Sequence, residues 1–240
     1  MYSCSAMSLH LSVVLLCHNE LENLPGVLSQ VTDALLRIQN EGHADTAEVI
    51  VVDDGSTDGT EEWLAKEQNP IPLSVVRHKT RMGYGAAVRS GLDNATGDLV
   101  AYMDGDGQFE AIQLMDMIVL MGAQKADMVA GIRAERNDNF YRRSVGWMYN
   151  AAVRQCLNLN FEDVDCGFKL LTRSALEQID LQLNGNLMGA EIFNQLKAAG
   201  ATIVQMPVRH HTRKHGKAKG VDAYSLWATV LDLWKSATNR

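Results

Sequence analysis

The sequence has no surplus of positive charge, no cysteine pair spaced for a metal, and no apolar run long enough to cross a bilayer. Lys and Arg total 22 against 29 Asp and Glu, a formal net charge of −7 at pH 7. Nucleic-acid binders are usually basic overall, so no nucleic-acid partner is expected. The four cysteines, Cys4, Cys17, Cys156 and Cys166, form no CxxC and read as reduced thiols of a cytosolic protein. The apolar run Leu11–Cys17 is short and no positive charge precedes it, which argues against a signal peptide. A Walker A sequence is absent, which removes ordinary P-loop phosphotransfer. There is no internal repeat, low-complexity linker or break in composition, so the 240 residues read as one domain with a core of ordinary size.

What is present alternates. Nearly continuous apolar runs at Leu11–Cys17, Glu48–Asp53, Leu73–Arg77, Asp98–Met103 and Asp127–Ala130 read as strands covered on both faces. Amphipathic stretches at Glu20–Gln39, Thr60–Gln68, Gly85–Ala95 and Glu110–Ala123 read as the helices between them. Asn19 followed by Glu22 has the spacing of a capping box at the start of the first helix. This βαβα order predicts an α/β fold, a mostly parallel sheet with helices on both faces. The second half is less regular. Helices are expected at Tyr141–Leu157, Leu187–Ala199 and Asp222 to about Ser236, strands at Gly167–Leu171 and Thr202–Val208, and a basic loop at Arg209–Lys219.

In an open parallel sheet, ligands bind beyond the carboxyl ends of the strands. Here those ends carry His18-Asn19-Glu20, then Asp53-Asp54-Gly55-Ser56-Thr57-Asp58, then Arg81-Met82-Gly83-Tyr84-Gly85, then Asp104-Gly105-Asp106-Gly107-Gln108. Any one of these reads equally well as a surface turn; four together point to a polar cleft. Asp104 and Asp106, one residue apart after a buried strand, can share one hard cation such as Mg²⁺ or Mn²⁺. A helix-loop-helix calcium site is excluded, because Gln108 and Phe109 stand where it needs an acid or amide and then Gly. A phosphoryl-transfer aspartate pair stays open as a rival, with the first aspartate as nucleophile. Gly83-Tyr84-Gly85 follows the third strand and lacks a third glycine, so it is no dinucleotide fingerprint, although its backbone N–H groups suit an anion. Arg133, Arg136, Arg142, Arg143, Arg209, Arg213 and Lys214 are mostly solvated charge, with one or two available to a phosphate. His210, His211 and His215 read as loop histidines.

The series VVLLCHNELENL, VIVVDDGSTDGT, RMGYGAAVRSG, LVAYMDGDGQ, GIRAERND, DVDCGFKLLTR and MPVRHHTRKHGKAKG occurs in that order. It resembles the inverting family 2 glycosyltransferases, and within them the dolichyl- and polyprenyl-phosphate sugar transferases, over about residues 10 to 220. The resemblance implies a GT-A fold, a nucleotide-sugar donor linked to GDP or UDP, and a divalent cation, Mg²⁺ or Mn²⁺. By motif, Asn19, Glu20, Asp53 and Asp54 would line the nucleoside pocket with Arg81 and Gly83 nearby. Asp104 and Asp106 would hold metal and diphosphate, with Gln108 beside the sugar. Arg133, Arg209 and Arg213 would meet the acceptor, and Asp163, Cys166, Gly167 and Phe168 match an acidic segment followed by CGF. Residues 10–130 would then form the donor half, 131–220 the acceptor half and 221–240 a C-terminal helix. The chain departs from the family at Leu16-Cys17-His18, where Pro-x-Tyr is usual, and at Tyr84, where Lys is frequent.

A lipid-phosphate acceptor is anionic at neutral pH and needs no general base. A hydroxyl acceptor would need one, and Asp163, Asp165 and Glu191 are the candidates. The chain is expected to act in the cytoplasm, at the membrane face if its acceptor is a lipid, without a transmembrane segment. The alternatives are transfer to a soluble or polysaccharide hydroxyl, an Mg²⁺-dependent phosphotransferase or phosphatase, and a non-catalytic nucleotide-sugar sensor.

Overall fold

A computed structural model describes residues 8–134 and 161–216. Seven strands form one sheet in the order β3-β2-β1-β4-β6-β5-β7. The strands are β1 His10–Cys17, β2 Thr46–Asp53, β3 Leu73–Arg77, β4 Leu99–Asp104, β5 Met128–Ala134, β6 Lys169–Thr172 and β7 Ile203–Arg209. The helices are α1 Leu24–Asn40, α2 Thr60–Leu64, α3 Tyr84–Asn94, α4 Gln113–Gln124, α5 Arg173–Leu176 and α6 Met188–Ala198. Among the described strands only β6 runs antiparallel to its neighbours, β4 and β5. The expected α/β architecture, a mostly parallel sheet covered on both faces, is therefore what forms.

Alternation along the strands builds two cores. Val13, Leu15, Val49 and Val51 point to the layer of α1 and α4, whereas Val14, Leu16, Ile50 and Val52 point to that of α3 and α6. Leu28, Val31, Leu35 and Ile38 supply the buried stripe of α1, and Ile192, Phe193 and Leu196 that of α6.

Three expectations need correction. The first helix opens at Leu24, with Pro25 in its first turn, because Asn19 is held in the left-handed region at φ 52°. Asn19 therefore caps no helix: its Oδ1 accepts from the Thr57 N–H at 2.7 Å, tying the end of β1 to the loop after β2. Strand β3 is an edge strand, with Val75 44% exposed, so its apolar run is not covered on both faces. Helix α2 ends at Leu64 rather than near Gln68. The helices expected at Tyr141–Leu157 and Asp222–Ser236, with Arg136, Arg142 and Arg143, lie outside the described residues.

The fold places its site at β1. Both β2 and β4 pair with β1, and the register sets Cys17 opposite Asp53 and Leu16 opposite Asp104. The chain leaves β1 with β2 on one side and β4 on the other, which makes the crevice at its carboxyl end a topological switch point.

Candidate donor and metal site

A cavity of about 280 Å³ opens at that switch point, lined among others by His18, Glu20, Asp54, Arg81, Tyr84, Asp104, Asp106, Asn186 and Arg213. It thus gathers residues from the ends of β1, β2 and β4, from the loop before α3 and from the segment after β7. Of the residues singled out in the sequence, Glu20, Asp54, Arg81, Asp104, Asp106 and Arg213 meet here.

Local hydrogen bonds explain how the acidic ends are held. Asp54 is buried, and its carboxylate accepts from the N–H groups of Met82 at 2.7 Å and Gly83 at 3.0 Å and pairs with His78 Nδ1 at 2.7 Å. It therefore folds the Arg81–Gly83 loop back over β2, and Gly83 takes part through its backbone. Gly83 sits at φ 102°, and a Cβ there would come within 2.7 Å of the Asn184 carbonyl oxygen. Asp53 lies behind the cavity, fully buried, with Oδ1 accepting from the Ser56 N–H at 2.9 Å. Its Oδ2 has no hydrogen-bond partner among the described residues, the Arg77 guanidinium standing 3.9 Å away.

The Asp104–Gln108 turn is the electrostatic centre. Asp104 lies against Gly167: a Cβ on that glycine would fall 2.2 Å from Asp104 Oδ2. Desolvation there, and then the neighbouring charge of Asp106, push the Asp104 carboxyl up to about 7. Asp106 Oδ1 accepts from the Gln108 N–H at 3.0 Å, and Asp106 Oδ2 from Arg213 Nη2 at 2.8 Å. Arg213 Nη1 donates to Glu20 Oε1 at 2.9 Å, so one guanidinium joins β1 to the turn after β4. Gln108 pairs with the segment after β7 through its Nε2, which donates to the His211 carbonyl at 2.7 Å.

These residues suit a divalent cation. A carboxyl whose proton is retained near neutrality by burial beside a second carboxylate is one that a cation would discharge. Among the described residues no set of three or more His, Cys, Asp or Glu side chains could enclose an ion. The chain would offer Asp104 and Asp106 and leave the other positions to phosphate and water, the usual arrangement for Mg²⁺ in phosphate chemistry.

The remaining candidates sit elsewhere. Arg133, at the end of β5, donates Nε and Nη2 to the two carboxylate oxygens of Asp163, each at 2.8 Å, and reaches Asp165 Oδ2 at 3.6 Å. Its guanidinium is thereby engaged in a bidentate pair. Arg209 is exposed and pairs with Glu110 Oε2 at 3.1 Å; His211 Nε2 takes Glu110 Oε1 at 2.7 Å. Glu191, on α6, accepts from the N–H groups of Gln182 and Leu183, each at 3.0 Å.

Sequence reasoning put Tyr84 in the cleft but missed Asn186 as a cavity residue and Lys169 as a buried cation. Lys169 is 1% exposed, its Nζ donates to the Cys166 carbonyl, and it lies 5.4 Å from the Tyr102 ring centroid. The CGF segment carried a signal for Gly167, but only the fold shows that Asp104 is what requires the glycine. Cys17 and Cys166 are free and buried, and burial pushes the Cys166 thiol up to about 12.

Residues 12–180 match the family described as glycosyl transferase family 2. The chain is 29% identical over 238 residues to a dodecaprenyl-phosphate galacturonate synthase of Rhizobium johnstonii, covering 94% of this chain and 66% of that one. It is 33% identical over 226 residues to an undecaprenyl-phosphate 4-deoxy-4-formamido-L-arabinose transferase of Pseudomonas aeruginosa, covering 92% and 63%. The chain thus spans slightly under two thirds of these relatives' length. A Pyrobaculum calidifontis mannosyltransferase, solved in complex with GDP-Man and Mn²⁺, superposes with a TM-score of 0.64 at 17% identity, covering 98% of this chain and 66% of that one. Glucosyl-3-phosphoglycerate synthase of Mycobacterium tuberculosis, solved with Mn²⁺ and UDP, gives 0.65 at 21% identity, covering 94% and 80%. These likenesses show the GT-A fold. With the family match over most of its length, this chain belongs to glycosyl transferase family 2.

Proposed function

We propose that the protein transfers a sugar from a nucleoside-diphosphate donor to a polyprenyl phosphate, with inversion at the anomeric carbon, at the cytoplasmic face of a membrane. The observation that carries the donor half is the cavity where Glu20, Asp54, Arg81, Asp104, Asp106 and Arg213 converge at the switch point. The nucleoside lies toward Asn19, Asp53 and Asp54 and the diphosphate toward Arg81, Arg213 and the Asp104–Gln108 turn, with residues 10–130 serving the donor. The acceptor half rests on the relatives, which are named for dodecaprenyl- and undecaprenyl-phosphate substrates. Among the described residues no helix is long and apolar enough to cross a membrane.

Asp104 and Asp106 would hold Mg²⁺ or Mn²⁺, which when bound neutralises the charge of the departing diphosphate. The acceptor phosphate oxygen attacks C1 of the sugar as the C1–O bond to the diphosphate breaks, and the bond electrons leave with the nucleoside diphosphate. A single displacement of this kind inverts C1, and the already anionic nucleophile needs no base. Arg213 and Arg81 stabilise negative charge on the leaving side. Arg209, exposed beside Glu110, would meet an incoming phosphate, whereas Arg133 acts through Asp163 to hold the acidic segment that carries Asp165.

The test is turnover of UDP- and GDP-linked sugars with a short-chain polyprenyl phosphate and Mn²⁺. Nucleoside diphosphate and glycosyl lipid should form together, and Asp106→Ala should lower the rate at least a hundredfold, the scale on which loss of one transition-state electrostatic contact acts. Full activity in excess EDTA would overturn the metal role. Transfer only to a soluble hydroxyl would overturn the acceptor and make Asp165 the base. Inorganic phosphate released from a phosphomonoester would favour a phosphatase, and tight donor binding without turnover a sensor.

A further inference from the structure

One wall of the donor cavity comes from a segment that no sequence motif marks. Residues 181–187 are the irregular last part of the connection from α5 to α6, and Asn186 is one of the residues that line the cavity. An irregular segment holds a side chain to a ligand's shape only if its backbone is fixed, and this one is fixed from two helices. From α3, Arg89 Nη1 donates to the Leu181 carbonyl at 3.2 Å and Nη2 to Asn184 Oδ1 at 2.6 Å. The Gly85 N–H donates to the Asn184 carbonyl at 2.9 Å. A Cβ on Gly85 would lie 2.5 Å from the Leu183 carbonyl oxygen, so the segment rests directly on the α3 backbone. From α6, the two carboxylate oxygens of Glu191 take the N–H groups of Gln182 and Leu183. Gln195 adds a bond from the Asp180 N–H at 2.7 Å and one to the Asp180 carbonyl at 2.8 Å.

The amide of Asn186 carries both a donor and an acceptor, the combination that distinguishes one pattern of sugar hydroxyls from another. Asp53 and Asp54 stand on the opposite side of β1 from Asp104, and Asn186 lines the same cavity as Tyr84, Asp104 and Asp106. The same arrangement accounts for an acidic residue on α6 without making it a base, since both Glu191 oxygens already accept backbone hydrogen bonds.

We propose that residues 181–187 are the sugar-selecting element of the donor cavity. Asn186 reads the sugar ring, and Arg89 and Glu191 are the positioning residues that hold the segment in place. This rests on the donor reading above.

The test uses the full chain with Mn²⁺ and calorimetric Kd values for UDP, GDP and a set of UDP- and GDP-linked hexoses. Asn186→Ala should leave the affinity for the preferred bare nucleoside diphosphate within about twofold, while the preference for one hexose over its epimers falls about tenfold, the scale of one hydrogen bond. Glu191→Gln and Arg89→Gln should reproduce that pattern, and Arg89→Lys should recover part of the discrimination. A catalytic base at Glu191 would lower kcat and leave hexose preference untouched, which overturns its positioning role. Equal losses for bare nucleotide and nucleotide sugar, or unchanged discrimination in Asn186→Ala, overturn the selecting role alone. Wild-type protein that binds neither nucleoside diphosphate overturns the donor reading and this proposal together.

Discussion

The two sides of the sheet hold their charged residues in different ways. On the β1–β2–β4 side Asp53 and Asp106 each accept a hydrogen bond within their own turns, from Ser56 and Gln108, while Asp54 is held by the backbone of the Met82–Gly83 loop. On the β5–β7 side, charges are fixed by partners distant in the chain: Arg133 by Asp163, Arg209 by Glu110, Arg213 by Glu20 and Asp106. The first side is therefore set in part by its own turns. The second depends on the whole fold being in register, and its last residues, 210–215, lie across the acidic turn through Gln108 and Asn23. Unequal burial sharpens the contrast. The Arg133–Asp163 pair has side chains 17% and 7% exposed, whereas the Arg209 side chain is 71% exposed.

The largest effect should come from breaking the buried long-range pair. Arg133→Ala leaves Asp163 without its bidentate partner, and removing one member of a buried pair typically costs about 3–5 kcal/mol. Denaturant unfolding should show that loss, with Arg209→Ala within about 1 kcal/mol of wild type because an exposed pair is worth no more. Similar stabilities for the two variants would erase the distinction between the sides.

A smaller effect is expected where the sides touch. Gly167→Ala drives a methyl into the Asp104 carboxylate, and overpacking of this kind costs about 1–3 kcal/mol when the surroundings must shift. Because the atom displaced belongs to the metal candidate, Mn²⁺ affinity by calorimetry should fall along with stability. Unchanged affinity would separate Gly167 from the site.

A third effect is one of pH. Asp104 is raised from 3.8 to about 7, so between those values the folded chain keeps a proton that the unfolded chain releases. Without added cation, stability attributable to this group is greatest below pH about 4, declines as pH rises, and is fully lost above about 7. Asp104→Asn removes that dependence. In thermal melts the variant should match wild type near pH 4 and gain a few degrees on it by pH 8, and saturating Mn²⁺ should reverse the order by stabilising wild type alone. A wild-type curve that runs parallel to the variant's from pH 4 to 8 would remove the electrostatic account of the acidic turn.

Local patterns in the sequence determined a good part of this protein. Runs of Val, Ile and Leu closed by Asn-Glu, Asp-Asp-Gly-Ser and Asp-Gly-Asp set the five leading strands and the carboxylates at their ends, because strand period and turn chemistry act within a few residues. Covering helices followed from the same periodicity, apart from their ends: the start of α1 moved to Leu24 once Asn19 was recruited by Thr57 in the loop after β2. The antiparallel insertion of β6 between β4 and β5, the clamp of Arg89 and Glu191 on residues 181–187, and the fit of Gly167 against Asp104 were decided only by tertiary structure. Each couples residues far apart in the chain, and a pattern with a period of two or 3.6 carries no information about such partners. The same is true of the ionisation of Asp104. Its composition is that of any aspartate, and only burial beside Asp106 lifts it toward neutrality.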